Sequence, residues 1–315
     1  MPCYHPLKGV RGAVNPDTGK RPLLFDVKLV DSSSQLPTLV PCGQCVGCRL
    51  EYSRQWAMRC LDEAKMHKEN SFITLTYDDA HIPVDRSLER RSSVGIDGKV
   101  KPEGAFQLFM KRLRKRLNKK VRFYHAGEYG ERFGRPHYHA LIFGHGFSDR
   151  QFLKRTGSGF NIYMSKELQS CWPFGYTSVG DVTFESAAYV ARYVMKKITG
   201  DAAEAHYTTV NVDTGEISVR TPEFNKMSLK PGIGAGWFDK FHKDVFPRDY
   251  VVARGVESKP PRFYDKLLDR NFPDLVDDVK FSRYTKAMLR QDDETDERLA
   301  VREQCFGLCI FYQSF

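Results

Sequence analysis

The sequence predicts an α+β fold, an antiparallel sheet with helices packed against it. Three observations lead there. Four short β-rich runs recur through the middle of the chain, at residues 72–77, 121–125, 138–143 and 176–182. Two segments, residues 46–67 and the stretch from Phe106 to Leu117, carry apolar residues at helical spacing. The strands and helices succeed one another in an order that suits segregated layers.

Taken in order, residues 1 to 40 are rich in Pro, Gly and Ser without clear periodicity, an irregular arm with one short strand at 23–29. A helix follows over 46–67, because Val46, Leu50, Ser53, Trp56, Ala57, Cys60, Leu61 and Ala64 fall on one stripe. Residues 72–77 form a strand, and the polar stretch 78–102, with Pro83, Gly95 and Gly98, a long excursion. Phe106, Phe109, Met110, Leu113 and Leu117 mark the apolar side of a second helix. Its other side, with the residues just beyond, carries Lys111, Arg112, Arg114, Lys115, Arg116, Lys119 and Lys120. Strands at 121–125 and 138–143 flank a turn region at 127–134. Short helices are expected at 149–153 and 166–172, a strand at 176–182, and a helix at 186–198 closed near Gly200.

Beyond residue 200 the patterning weakens. Pro231-Gly-Ile-Gly-Ala-Gly236 reads as a flexible turn and not as a dinucleotide fingerprint, since no strand and helix frame it. Arg290 to Arg298 is a mostly acidic, solvated run. The expected organisation is an N-terminal arm with a Cys-rich helical segment over 1–68, a sheet domain over 69–200, and a C-terminal extension over 201–315.

The 315 residues, 41% hydrophobic, suffice for one large domain or two modest ones. With 49 Lys and Arg against 39 Asp and Glu, the formal charge of +10 favours a polyanionic partner. No run approaches the roughly 20 apolar residues of a membrane helix, and the first residues, Met-Pro-Cys-Tyr-His-Pro-Leu-Lys, lack a signal-peptide core. A soluble chain that stays where it is made is expected. Eight cysteines do not make a disulfide scaffold, and in a cytoplasm they stay reduced.

Chemistry concentrates in two places. In Gly-Arg-Pro-His-Tyr-His-Ala-Leu-Ile-Phe, residues 134–143, His137 and His139 alternate along a strand and leave the same face. That suits two ligands of one metal. Glu128, nine residues before His137 and across the turn, can be brought alongside by a hairpin as third ligand, with Glu131 the alternative. Two imidazoles and a carboxylate, with positions open to phosphate and water, suit Mg²⁺ or Mn²⁺. Fifty residues after His139, Tyr189 and Tyr193 stand four apart on one helix face. A metal beside two tyrosine hydroxyls points to phosphodiester cleavage with tyrosine as the nucleophile. Lys197, or the offset Lys196, could neutralise the pentacoordinate phosphate or protonate the leaving oxygen. Cys42, Cys45 and Cys48, with Cys60 twelve residues on, have a spacing that suits Zn²⁺. Cys3 or His5 could replace Cys60 if the helix turns it away; C-x₂-C-x₂-C also occurs in iron–sulfur proteins, and free thiols are the plain alternative. The basic helix, and Arg49, Arg54 and Arg59 around Trp56, are candidate phosphate contacts, although Trp56 fits the apolar stripe.

Three stretches carry a family resemblance: Phe72-Ile-Thr-Leu-Thr-Tyr-Asp78, His137-Tyr-His139, and Tyr189-Val-Ala-Arg-Tyr-Val-Met-Lys-Lys197. In that order and spacing the chain resembles the HUH endonuclease superfamily of rolling-circle initiators over about residues 70–200. It is most similar to the replication initiators of microvirus-type, gokushovirus-like, single-stranded DNA phages. Pro41-Cys-Gly-Gln-Cys-Val-Gly-Cys48 and Arg54-Gln-Trp-Ala-Met-Arg-Cys60 add to the likeness. The resemblance implies origin-specific nicking and joining through a 5′-phosphotyrosine, with the two central strands carrying the first two motifs, a carboxylate ligand where Glu128 stands, and a lysine near the tyrosines. It also implies single-stranded DNA and the supercoiled duplex replicative form as substrates, a host helicase and polymerase as partners, and the host bacterial cytoplasm as location. A single-strand transposase of the same fold normally uses one tyrosine, and a relaxase three histidines with an N-terminal tyrosine. A zinc-containing DNA-binding regulator without catalysis is the rival from another class.

Overall fold

The computed structural model of the protein describes all residues except 1–2, 20, 27, 29–37, 84–86, 89–103, 131–133, 194–196, 199–201, 211–214, 216, 290, 294 and 314–315. The chain divides into two compact units, Met1–Tyr52 with Asp277–Phe315, and Ser53–Val276.

The first unit opens on a small sheet. Strand β1 (Leu7–Arg11) pairs antiparallel with β2 (Leu23–Leu24) and with β3 (Thr38–Val40), Leu7 opposite Val40 and Arg11 opposite Leu23. The arm expected to be irregular is therefore paired. Strands of two to five residues carry too few alternations for a period to show, and their partners lie far along the chain. Helix α1 (Val46–Lys65) starts in this unit and runs into the second.

The second unit is built on β4 (Asn70–Tyr77), α2 (Ala105–Leu117), β5 (Arg122–Tyr129), β6 (Pro136–Phe143), β7 (Gln151–Arg155), β8 (Asn161–Met164), α3 (Lys166–Cys171), β9 (Gly175–Gly180) and α4 (Phe184–Arg192). Helix α5 (Ala202–Tyr207), the hairpin β10 (Thr208–Val210) and β11 (Ile217–Val219), and β12 (Phe224–Met227) follow. The seven-stranded sheet has the order β12-β5-β6-β4-β9-β8-β7, and among the described residues its pairings are antiparallel. The sheet expected to lie within residues 69–200 draws in a later strand, because β12 pairs with β5, Phe224 opposite Gly127. Next come α6 (Ala235–Val245), the hairpin β13 (Val251–Ala253) and β14 (Val256–Ser258), and α7 (Arg262–Asn271). Then come α8 (Val276–Met288), in the first unit from Asp277 on, and α9 (Asp296–Gln313).

The central strands are covered on both faces, which is why β6 reads as an almost unbroken apolar run. On one face, α2 and α3 bring Phe109, Leu113, Leu168 and Trp172 onto Ile73, Leu75, Tyr138 and Ile142, all fully buried. On the other, α1 and α4 bring Ala57, Cys60, Ala187 and Val190 onto Tyr124, Ala126, Leu141 and Phe143. Trp56 stacks on Tyr124 with centroids 4.7 Å apart and is partly buried against this core, on the side its stripe indicates. The guanidinium of Arg59 in turn lies 4.0 Å from the Trp56 centroid and 3.9 Å from that of Phe263.

Two local expectations fail. Residues 149–153 are not a helix: Gln151–Arg155 is an edge strand. The reason is the turn beyond it, where Thr156 N–H donates to Phe160 C=O at 2.8 Å, Phe160 N–H donates to Thr156 Oγ1 at 3.0 Å and Gly159 takes φ +86°, closing a hairpin onto β8. The tyrosine helix spans Phe184–Arg192 and not 186–198. It starts earlier because Thr183 and Ser186 form a reciprocal cap, Ser186 N–H to Thr183 Oγ1 at 3.1 Å and Thr183 N–H to Ser186 Oγ at 2.8 Å. Among the described residues no helix is long and apolar enough to cross a membrane.

Candidate active site

The register of three strands assembles the site. Glu128 on β5 stands opposite His137 on β6, and His139 stands opposite Thr74 on β4. Directly opposed residues of antiparallel strands share a face, so Glu128, His137, His139 and Thr74 all point to the side that α1 and α4 cover. His137 Nε2 lies 2.5 Å and His139 Nε2 2.9 Å from the same oxygen, Glu128 Oε1. Glu128 and His139 are buried and His137 half-buried. Burial pushes the Glu128 carboxyl up, but hydrogen bonds from His137 and His139 outweigh it and hold the carboxyl below the usual carboxylate range.

The far sides of the rings are fixed as well. His137 Nδ1 is 3.0 Å from the carbonyl oxygen of Arg135, which can only accept, so Nδ1 carries a proton and Nε2 faces Glu128. His139 Nδ1 is 2.9 Å from Thr74 Oγ1. A bare nitrogen lone pair and a carboxylate oxygen repel at 2.5 Å; the contact calls for a proton or a cation between them. The donor set fits a cation. Six-coordinate Mg²⁺ takes ligands at about 2.1 Å, which places neighbouring ligand atoms about 3 Å apart, and outer partners of the Thr74 and Arg135 kind orient ligating imidazoles. Among the described residues this is one of two groups able to hold a metal. Of the rival groups, Glu131 and Lys196 lie outside the described residues. His125 is buried on the α2 face, stacked 3.7 Å from Phe106, and burial and then Lys226 drive its pKa down to about 3. His145 faces Glu167 at 3.2 Å.

Both tyrosines reach the same imidazole. The Tyr193 ring stacks on His139, centroids 5.3 Å apart and planes 8° from parallel, and the Tyr189 ring meets His139 edge-on at 5.1 Å. The centroids of the two tyrosine rings are 4.7 Å apart, edge to face. Their surroundings differ: Tyr189 is 41% exposed and Tyr193 only 4%. Helix α4 is held in place by Ser53 Oγ donating to Ala188 C=O at 3.0 Å and Asn225 Nδ2 donating to Val190 C=O at 3.2 Å. Tyr193 sits at the cap that ends the helix, and Lys197 is exposed and outside regular secondary structure. The lysine is thus not carried on the helix face expected for it.

The basic helix is not beside this site. α2 packs on the opposite face of the sheet, where Arg114 donates to Val121 C=O at 3.0 Å and Arg116 to Ser170 Oγ at 3.0 Å. What the sequence did not single out is Tyr176, 70% exposed on the site face. It stands opposite Thr76, which stands opposite His137. Thr74 stood inside the Phe72–Asp78 motif without a role of its own, although its place at alternate positions with Phe72 and Thr76 in a strand was a signal.

A second group lies in the first unit. Cys3, Cys42, Cys45 and Cys48 bring their sulfurs within 4.8 Å of one another. Cys60 is not among them: it is fully buried in the apolar layer between α1 and the sheet, where burial pushes its thiol up. Twelve residues of helix beyond Cys48 amount to about 18 Å, so Cys60 cannot join the run. His5 does not join either; it faces Glu303, Nε2 to Oε2 2.9 Å. Within the group, burial pushes Cys45 up but backbone N–H groups of Cys48 and Tyr4 and the neighbouring thiols draw it down to about 6. Cys48 and Cys3 are pushed up, burial first.

A family of replication proteins shares this sequence. The family model described as replication-associated protein ORF2/G2P matches residues 70–198, from the first residue of β4 to just past the tyrosines. The chain is 33% identical over 309 residues to replication-associated protein VP4 of Bdellovibrio phage phiMH2K, covering 94% of this chain and 87% of that one. It is 31% identical over 255 residues to replication-associated protein ORF2 of Spiroplasma virus 4, covering 78% and 72%. Replication-associated protein ORF4 of Chlamydia phage 1 is 28% identical over 297 residues, covering 91% and 64%. No solved structure matches the chain. The chain belongs to the replication-associated protein family of small phages, microvirus type.

Proposed function

We propose that this chain is the initiator of rolling-circle replication of a small single-stranded DNA phage, nicking and rejoining DNA at the origin through tyrosine. The observation that carries this is the convergence on His139: its Nε2 faces Glu128 at 2.9 Å while both tyrosine rings contact the same imidazole. Family membership supports a role in replication.

In this reading a phenol oxygen of Tyr189 or Tyr193 loses its proton and attacks a backbone phosphorus. The P–O3′ bond breaks, the 5′ side becomes a phosphotyrosine, and the departing O3′ takes a proton to leave a primer for a host polymerase. A free tyrosine, pKa near 10, is a poor nucleophile at neutral pH. A divalent cation, Mg²⁺ or Mn²⁺, held by Glu128, His137 and His139 would supply Lewis-acid charge at the phosphate. Glu128, His137 and His139 orient; the tyrosines carry the DNA; Lys197, exposed and near in sequence, is free to meet the phosphate. The phosphotyrosine keeps the bond energy, so the second tyrosine can cut a regenerated origin while the first holds the old 5′ end. Tyr176, two strands from His137 on the open part of the same face, offers a ring on which a base of the substrate strand can stack. Single-stranded DNA and the supercoiled replicative form are the substrates, in the host cytoplasm, with a host helicase to open the duplex.

Incubation with a labelled single-stranded origin library and Mn²⁺ tests the reading. A shift that survives denaturant is expected. DNA that binds but is never linked would instead favour a non-catalytic DNA-binding regulator.

A further inference from the structure

The cysteine group belongs to no step of that reaction, yet its geometry is specific. β1 and β3 end side by side, Leu7 opposite Val40. Cys3 lies four residues before that end of the ladder and Cys42 two residues after it. Gly43 turns the chain at φ +76°, and Cys45 and Cys48 then fall at the head of α1. Cys3 Sγ is 3.9 Å from Cys45 Sγ, and Cys42 Sγ 4.0 Å from Cys48 Sγ. A tetrahedral ion with metal–sulfur bonds of about 2.3 Å has sulfurs about 3.8 Å apart. The N–H groups of Tyr4, Cys42 and Cys45 donate to Cys45, Cys3 and Cys42 sulfur at 3.4, 3.2 and 3.3 Å. Donors aimed at three sulfurs favour thiolates, as a ligating set requires. Sulfurs this close leave no room for a multi-iron core.

The surroundings supply a reason for an ion. Among the described residues of the first unit, the buried hydrophobic side chains are Tyr4, Val10, Val279 and Leu299. Strands of five, two and three residues with so little apolar burial do not hold themselves together, and a metal is a common substitute for a core.

We propose that Cys3, Cys42, Cys45 and Cys48 hold one Zn²⁺ in a closed tetrathiolate site that clamps the N-terminal strand pair to the head of α1. The fourth ligand is thus Cys3, 39 residues from Cys42, and not Cys60. With all four positions taken by protein the ion is structural.

Metal analysis of the full-length protein, purified with zinc supplied, is expected to give about one tightly held zinc per chain. Cobalt taken up in its place is expected to show the charge-transfer absorption that only thiolate ligands give, which separates this site from Glu128, His137 and His139. On the same wild-type protein, alkylation read by mass spectrometry is expected to spare Cys3, Cys42, Cys45 and Cys48 until a chelator is added. Exposed Cys305 reacts throughout and buried Cys60 in neither state. Cys3→Ser is expected to lose the zinc and Cys60→Ala to retain it. Absence of thiolate-bound metal, iron in place of zinc, or a Cys3 alkylated as fast as Cys305 with metal present would overturn the proposal. Because the readouts follow sulfur and not DNA, none of these outcomes bears on nicking.

Discussion

His139 and Tyr193 lie ring on ring, centroids 5.3 Å apart and 8° from parallel, at the point where the sheet meets the end of α4. The imidazole that turns its Nε2 to Glu128 is therefore also a wall of the pocket that holds the phenol. Thr74, 2.9 Å from His139 Nδ1, sets the plane of that wall. In the proposed reading, positioning a cation and positioning a nucleophile would be one packing problem.

Replacing either imidazole is expected to abolish nicking, by at least about 100-fold, while DNA binding is largely kept. Thr74→Val removes the hydrogen bond but keeps the shape and the strand. It is expected to weaken the metal dependence of nicking by about 10–100-fold, in line with the loss of outer partners of metal ligands. The check is a Mn²⁺ titration of nicking rate with folding monitored in parallel; an unchanged metal requirement in Thr74→Val would remove Thr74 from the site.

The Glu128 carboxyl gives a pH signature. Its folded-state pKa is held below the ordinary carboxylate value, because hydrogen bonds from His137 and His139 outweigh the opposing effect of burial. A carboxyl shifted that way contributes stability above its unfolded pKa and loses it as pH falls through its folded pKa. With a chelator present, the advantage of wild type over Glu128→Gln is expected to begin to fall as pH drops through the ordinary glutamate pKa of about 4.3 and to go on falling at lower pH. Urea melts at matched ionic strength measure this. An advantage constant down to about pH 3 would refute the pairing.

How much of this was legible beforehand follows from the range of each interaction. His137 and His139 are two residues apart on one strand, and Glu128 is one hairpin away, so local spacing carried them. Cys60 is ruled out locally, by the helix that carries it about 18 Å past Cys48, but that Cys3 takes its place rests on a ladder joining residues 7–9 to 38–40, a long-range pairing that leaves no local mark. The face on which α2 packs is likewise a tertiary fact: its charge pattern is the same on either side of a sheet. Tyr176 reads as one more aromatic in a strand until its register across Thr76 to His137 is known.

That register gives a binding test. Tyr176→Ala removes a ring 70% exposed and takes nothing from the core. Single-stranded origin DNA is expected to bind about 1–3 kcal/mol more weakly, about 5- to 150-fold, with the thermal midpoint unchanged. Equal affinity for wild type and variant would mean that the strand leaves the site by another route.

The fold itself can be probed at Phe109, fully buried between α2 and the sheet face away from the site. Phe109→Ala is expected to destabilise by about 3–5 kcal/mol, read from chemical denaturation. A loss under about 1 kcal/mol would be inconsistent with α2 packed as described.

The tyrosines separate the nuclease reading from its rivals. Each phenol touches His139, but Tyr189 is 41% exposed and Tyr193 4%. Tyr189 is the more accessible of the two, so the first link is expected on Tyr189. Tyr→Phe keeps each ring and its stacking and removes the hydroxyl alone. Tyr189→Phe is expected to cut the yield of covalent adduct on a single-stranded origin oligonucleotide by about 10-fold or more, in the range that loss of one positioned group gives, and Tyr193→Phe to leave most of it. Tyr189→Phe/Tyr193→Phe should form none yet still bind. Both single variants should fail a full replication cycle, where a second transfer has to occur while the first link persists. Peptide mapping of the adduct decides the order. A link on Tyr193 in wild type would reverse it; a link on Tyr124, Tyr163 or Tyr207, or any adduct in the double variant, would end the assignment of α4 as the nucleophile helix.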